Sequence, residues 1–141
     1  MLGTAENFIE ELKKINWNYR EPKTLETGKV VISCGINGKN THYDLHFFFD
    51  ENGKAVCIRV FELLRVPIDK KLPVMDLINQ LHLEYRWVKF FINTEEYVNL
   101  QADAVITAEN SGKVCLELMG HFFKIIDESY PRFMKIIWSD A

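Results

Sequence analysis

The sequence predicts an α+β domain, an antiparallel meander sheet with helices packed on it in the order α-β-β-β-α-β-β-α. Two observations carry this. Apolar residues recur at helical spacing near 8–15, 74–85 and 115–126 and at period two over 30–36, 43–49, 56–60 and 88–100. Two Asn-Gly pairs, Asn37-Gly38 and Asn52-Gly53, stand between alternating runs where hairpin turns are needed.

The first helix follows from Phe8, Ile9, Leu12 and Ile15, with Glu and Lys filling its other face, and should end near Asn16. The polar stretch from Trp17 to Gly28 contains Pro22 and reads as a loop or an irregular edge segment. If each Asn-Gly pair is a two-residue type I′ loop, Ile32 faces Tyr43 and Val30 faces Leu45 in the first hairpin. In the second, Phe49 faces Val56, Phe47 faces Ile58 and Leu45 faces Val60. These registers gather Val30, Ile32, Tyr43, Leu45, Phe47, Phe49, Val56, Ile58 and Val60 on one face. Val31, Asp44, His46, Phe48, Cys57, Arg59 and Phe61 fall on the other.

Val74, Leu77, Ile78, Leu81 and Tyr85 mark a second helix that starts between Lys70 and Pro73, because proline is tolerated only in a first turn. A third hairpin then turns near Thr94 to Glu96. A three-residue loop sends Val88, Phe90, Ile92, Val98 and Leu100 inward and Trp87, Lys89, Phe91, Tyr97 and Asn99 outward; a two-residue loop would move one strand's set to the other face. The first is preferred because its inner set is wholly apolar. Thr107 is the expected N-cap of the last helix, whose stripe is Cys115, Leu118, Met119, Phe122 and Ile126. Gly112 and Gly120 each weaken that helix by about 1 kcal/mol relative to alanine. Tyr130-Pro131 is expected to break or kink it, leaving a short helical tail.

Residues 1–141 suffice for one domain, which at this size buries about 68–70% of its unfolded surface. With 17 basic and 20 acidic residues the net charge is −3, no footprint for a nucleic acid. No stretch approaches the roughly 18 apolar residues of a membrane span, and "MLGTAENFIEELKKINW" lacks the layout of a secretory signal. Cys34, Cys57 and Cys115 are odd in number and far apart, as expected of reduced thiols in a cytoplasmic protein.

No motif specifies a cofactor or a metal. His42 and His46 lie about 13 Å apart along a strand, too far to share an ion, and His82 and His121 lack a second ligand, which suits packing or capping roles. "SGKV" at 111–114 lacks the earlier glycine of a phosphate loop, and "DENG" at 50–53 lacks the alternating carboxylates of a calcium loop. Cys57 and His46 fall diagonally across one strand pair, so a cysteine-dependent hydrolase is the enzymatic alternative, although no orienting group or oxyanion pocket is specified.

The second sheet face carries the stronger signal. Val31, Phe48 and Phe61, with Phe91 and Tyr97 from the later hairpin, are large apolar groups that need a cover. Either the last helix or the 17–28 segment supplies it, or a second subunit or a client segment docks there.

"VPIDKKLPVMDLINQLHLEYRWVKFFIN", the "YVNLQAD" strand and the helix through "DESYP" resemble the YbjN-domain family, whose fold is similar to that of type III secretion chaperones. The resemblance rests on Pro67, Asn79, Leu81, Trp87, Lys89, Phe90, Thr107 and Tyr130-Pro131; His82 stands where the family more often has asparagine. It implies a small bacterial cytoplasmic domain without established catalytic residues, described as a regulator of sensory transduction. The chaperone-like relatives dimerise and hold extended clients on apolar surfaces. The expectation is therefore a non-enzymatic, chaperone-like protein-binding regulator, a homodimer or client-bound. A cysteine hydrolase and a small-molecule sensor with a pocket between helix and sheet are the alternatives.

Overall fold

Helix α1 (Gly3–Lys14) stops where Asn16 takes a left-handed φ of 54°. Asn16 N–H then bonds the Lys13 carbonyl and Trp17 N–H that of Leu12, the paired bonds of a Schellman ending. The computed structural model describes residues 1–140. In it α1 is followed by β1 (Lys23–Thr24), β2 (Val30–Asn37), β3 (His42–Phe49), β4 (Ala55–Arg65), α2 (Lys71–Glu84), β5 (Lys89–Ile92), β6 (Tyr97–Val105) and α3 (Ser111–Ile137). The six strands form one sheet in the order β1-β2-β3-β4-β6-β5, every pair antiparallel. The predicted helix and strand order holds, with β1 added from the 17–28 segment as a two-residue edge beside β2.

The division of β2, β3 and β4 into two faces holds throughout. Val30, Ile32, Tyr43, Leu45, Phe47, Phe49, Val56, Ile58 and Val60 are all buried. Phe8 of α1 lies over Phe47 and Phe49 with ring centroids 4.5 and 5.9 Å away. The register of β3 on β4 is as expected at Phe49↔Val56 and Phe47↔Ile58. The turn itself differs: only Gly53, at φ 72°, is left-handed, and Asp50 N–H bonds the Ala55 carbonyl around a four-residue loop.

The register of β2 on β3 does not hold. Val30 pairs with Phe49, Ile32 with Phe47 and Ile36 with Tyr43, a slip of four residues that leaves each residue on its predicted face. The turn is displaced from Asn37-Gly38 to residues 38–41, where Asp127 of α3 grips it. The Asp127 carboxylate accepts the Lys39 and Asn40 amides at 3.0 and 3.4 Å.

Helix α3 runs unbroken through Tyr130-Pro131, against the expected break. Thr107 and Asn110 exchange side-chain bonds with each other's amides at 3.2 and 2.7 Å, a reciprocal cap on the turn that leads into α3, which itself begins at Ser111. Gly112 permits the α1 contact: a Cβ there would stand 2.7 Å from the Asn7 carbonyl oxygen and 2.5 Å from Glu11 Cγ. Its amide also donates to Asn7 Oδ1 at 2.7 Å.

Helix α2 begins at Lys71, within the expected window, and buries Val74, Leu77, Ile78 and Leu81. Tyr85 ends the helix in extended geometry instead of continuing the stripe. Arg132 holds both Glu84 oxygens at 3.0 and 2.9 Å, which keeps that carboxyl below its ordinary range and ties α2 to α3. The three-residue loop of the β5–β6 hairpin is the one formed, since Ile92 pairs with Val98 and Asn93 N–H bonds the Tyr97 carbonyl.

Candidate functional site

The middle phenylalanine of the triplet lies apart from its neighbours. Phe47 and Phe49 are 0% exposed, whereas Phe48 sits on the opposite face, edge-on to Phe61 with centroids 6.3 Å apart. His46 joins them at 6.5 Å from Phe48 and 5.5 Å from Phe61, and the Arg59 guanidinium lies 6.0 Å from the Phe61 ring. Val31, paired with Phe48 across β2 and β3, shares this outer face. Phe61 is 43% exposed.

Phe48 is half-buried, and among the described residues no ring of the 17–28 segment or of the last helix stacks on this cluster. The 17–28 segment becomes the β1 edge, from which Arg20 reaches Asp44 at 2.7 Å. Helices α1 and α3 pack on the inner face, Phe133 of α3 meeting Phe90 at 5.7 Å. Helix α2 runs beside β5, where His82 Nε2 accepts the Phe90 amide at 2.8 Å. Phe91 faces outward but borders a depression with Met75, Ile78 and His82 of α2, away from the Phe48 cluster. Tyr97, half-buried, stands opposite Arg65. The five candidate residues thus share a face, but only Val31, Phe48 and Phe61 form one patch on the central strands. His121 packs against Trp87 with centroids 6.2 Å apart.

The Cys57–His46 couple lacks an activated thiol. Burial raises the Cys57 thiol above its ordinary value, and Arg59 Nε donates to its Sγ at 3.2 Å. Burial also lowers the His46 imidazole, whose Nδ1 shares a 2.7 Å hydrogen bond with Ser33 Oγ. Among the described residues no three His, Cys, Asp or Glu side chains converge on a metal-sized site, and no helix is long and apolar enough to cross a membrane.

Beside Phe61 the strand pairing opens. Val60 pairs with Leu100 and Leu64 with Val98, so Phe61, Glu62 and Leu63 together face the single residue Asn99. This three-residue bulge turns Glu62 to a left-handed φ of 52°, which costs about 1–3 kcal/mol in a residue with a Cβ. The buried Asn99 side chain holds it there, Oδ1 accepting the Glu62 amide at 2.8 Å. Pairing of β3 with β4 ends at His46↔Arg59, so the expected Leu45–Val60 pair is not made. A cleft of about 510 Å³ lies at this end of the sheet, lined by Gly35 and Ile36 of β2, Asp44 and His46 of β3, and Phe61 and Glu62 of β4. Sequence periodicity gave only one sign of it. Glu62, Leu63 and Leu64 do break the alternation of β4, the one trace a reader of the chain could have followed.

Over residues 4–134 the chain matches the family model described as "YbjN: Putative bacterial sensory transduction regulator". The chain belongs to the YbjN family. Its fold is similar to that in "Crystal structure of YbjN, a putative transcription regulator from E. coli", with a TM-score of 0.60 and 12% identity, covering 91% of this chain and 92% of that one. No curated protein matches the chain. The sheet and helices of this YbjN-family chain thus correspond in fold to that relative almost end to end.

Proposed function

We propose that this YbjN-family protein is a non-enzymatic, chaperone-like regulatory module that binds polypeptide through the outer face of its sheet. A second copy of the chain is the first occupant to seek, in the cytoplasm, and a client protein the next. One observation carries the proposal: Phe48 and Phe61 form an aromatic patch on the central strands that no helix of the chain covers. Burying one such side chain fully is worth about 1.5–3 kcal/mol, a driving force for a partner.

Size-exclusion chromatography with light scattering at micromolar concentration tests it. The expected result is a dimer that the Phe48→Ser/Phe61→Ser double variant dissociates with an unchanged circular dichroism spectrum. A monomer for both proteins removes the second copy as occupant.

A sensor function has its own observation, a concavity of about 390 Å³ between α1, β2 and α3 lined by Ile15, Trp17, Ile36, Met119 and Phe123. Saturable quenching of Trp17 emission by decanoate, in a Trp87→Phe/Trp138→Phe background, would favour that function. A flat response would leave the concavity as surface relief.

A further inference from the structure

We propose that the gap between β3 and β4 seats an extended segment of another polypeptide, which joins the sheet as a strand against His42–Leu45. The proposal rests on the chain being a polypeptide-binding module and specifies how it grips.

The pairing pattern fixes which main-chain groups face the gap. Asp50 N–H bonds the Ala55 carbonyl at 3.0 Å, and hydrogen-bonded pairs in an antiparallel ladder recur every second residue. Phe48↔Cys57 and His46↔Arg59 are therefore pairs of the same kind. By the same alternation Asp44 and His42 turn their N–H and C=O groups toward β4. Continued register would bring Phe61 and Leu63 opposite them, but β4 carries the bulge held by Asn99 there, and no ladder pair forms beyond His46. The result is a strand edge inside the sheet, with a cleft of about 510 Å³ alongside.

A row of alternating donors and acceptors at strand spacing is complementary to the main chain of an extended peptide. Four residues of β3 span about 13 Å, enough for a short recognition segment. Outward side chains of that segment would lie beside Phe61 and His46, continuing the Phe48 patch, so apolar or aromatic groups suit those positions. Inward side chains would approach Tyr43, which is 8% exposed and whose Oη has no hydrogen-bond partner. The cleft walls carry the carboxylates of Asp44 and Glu62 and no lysine or arginine, so a basic residue suits the position near Glu62. Asp44 is already matched by Arg20.

The test pans the whole chain against a phage-displayed library of random ten-residue peptides and measures a selected, fluorescein-labelled peptide on variants. Asp44→Pro removes the N–H that faces the gap, in a conformation proline accepts on a strand edge. Asp44→Ala keeps that N–H and loses the carboxylate, and with it the Arg20 contact and the field at His46. The expected result is at least about a tenfold loss of affinity for Asp44→Pro and less than about a threefold loss for Asp44→Ala. Both variants are checked for native circular dichroism. Amide exchange on the unsubstituted protein gives a second measure, the bound peptide slowing the His42 and Asp44 amides. A peptide that binds both Asp44 variants alike but is lost with Phe48→Ser overturns strand addition and leaves face binding intact. A peptide indifferent to all three, or the selection of none, overturns both.

Discussion

The main-chain carbonyl of Asp127 accepts a 2.8 Å hydrogen bond from Asn40 Nδ2. In an uninterrupted helix that carbonyl would be taken by the amide four residues on, but residue 131 is proline and has none. The proline that looked like a helix breaker instead frees an acceptor, and the β2–β3 loop docks on it. Asn40→Ala should cost about 1 kcal/mol in urea unfolding. The cost should shrink in a Pro131→Ala background, where the helix satisfies the carbonyl itself. Equal costs in both backgrounds would show that the Asn40 bond to this carbonyl does not depend on the proline.

Phe47 and Phe48 are neighbours in sequence with opposite surroundings, and truncation should separate them. Phe47→Ala, at a fully buried position against Phe8, is expected to cost about 3–5 kcal/mol. Phe48→Ala should cost about 1 kcal/mol, because its ring faces outward. Chemical denaturation of both variants decides the matter, and similar losses would contradict the two-faced sheet.

Asn99 supports the bulge that opens the cleft. Asn99→Ala leaves the part-buried Glu62 amide without its acceptor and should destabilise the chain by about 1–3 kcal/mol. Asn99→Asp keeps an acceptor and should recover part of the loss. An alanine variant of unchanged stability would mean that the bulge holds without this bond.

Burial keeps the His46 imidazole below the ordinary value of about 6.5, with Asp44 acting to raise it and Arg20 to lower it. On acidification the unfolded chain therefore takes up this proton first. The contribution of His46 to stability is complete above about pH 6.5 and is lost as pH falls from there through the folded value. Urea midpoints between about pH 5 and 8 should fall on acidification more steeply for the unsubstituted protein than for His46→Gln. Identical slopes would assign the acid sensitivity to other groups.

Burial holds the Cys57 thiol above its ordinary value although the Arg59 contact acts to lower it, so iodoacetamide should modify it no faster than a free cysteine at pH 8. Faster labelling would revive the hydrolase alternative. Cys34, which burial raises to about 11, is expected to react more slowly still.

What the sequence disclosed was local, and what it withheld was set by distant partners. Alternation and the Asn52-Gly53 pair sufficed for the faces of β2, β3 and β4 and for the β3–β4 register, because period two and a short loop determine both. The Asn37-Gly38 pair misled by four residues, since Asp127, nearly 90 positions along the chain, chooses the turn. Thr107 caps the turn before α3 and not the helix itself, whose N-cap is Asn110, because the Thr107–Asn110 exchange inserts a turn ahead of Ser111. The continuity of α3 through Pro131 was not legible, because Asn40, which takes up the freed carbonyl, lies on another element. The outward place of Phe48 followed from parity alone. The adjoining gap depends on a buried asparagine opposite a bulge, and no periodicity encodes that.

The two outer margins of the sheet are poor templates for lateral growth. One is only the two-residue β1, and at the other His82 occupies the Phe90 amide that an incoming chain would need. A sheet blunted at both rims in this way hinders the open-ended stacking that seeds fibres. Concentrated solutions of this protein should therefore stay clear of thioflavin-positive polymer until α2 is dislodged.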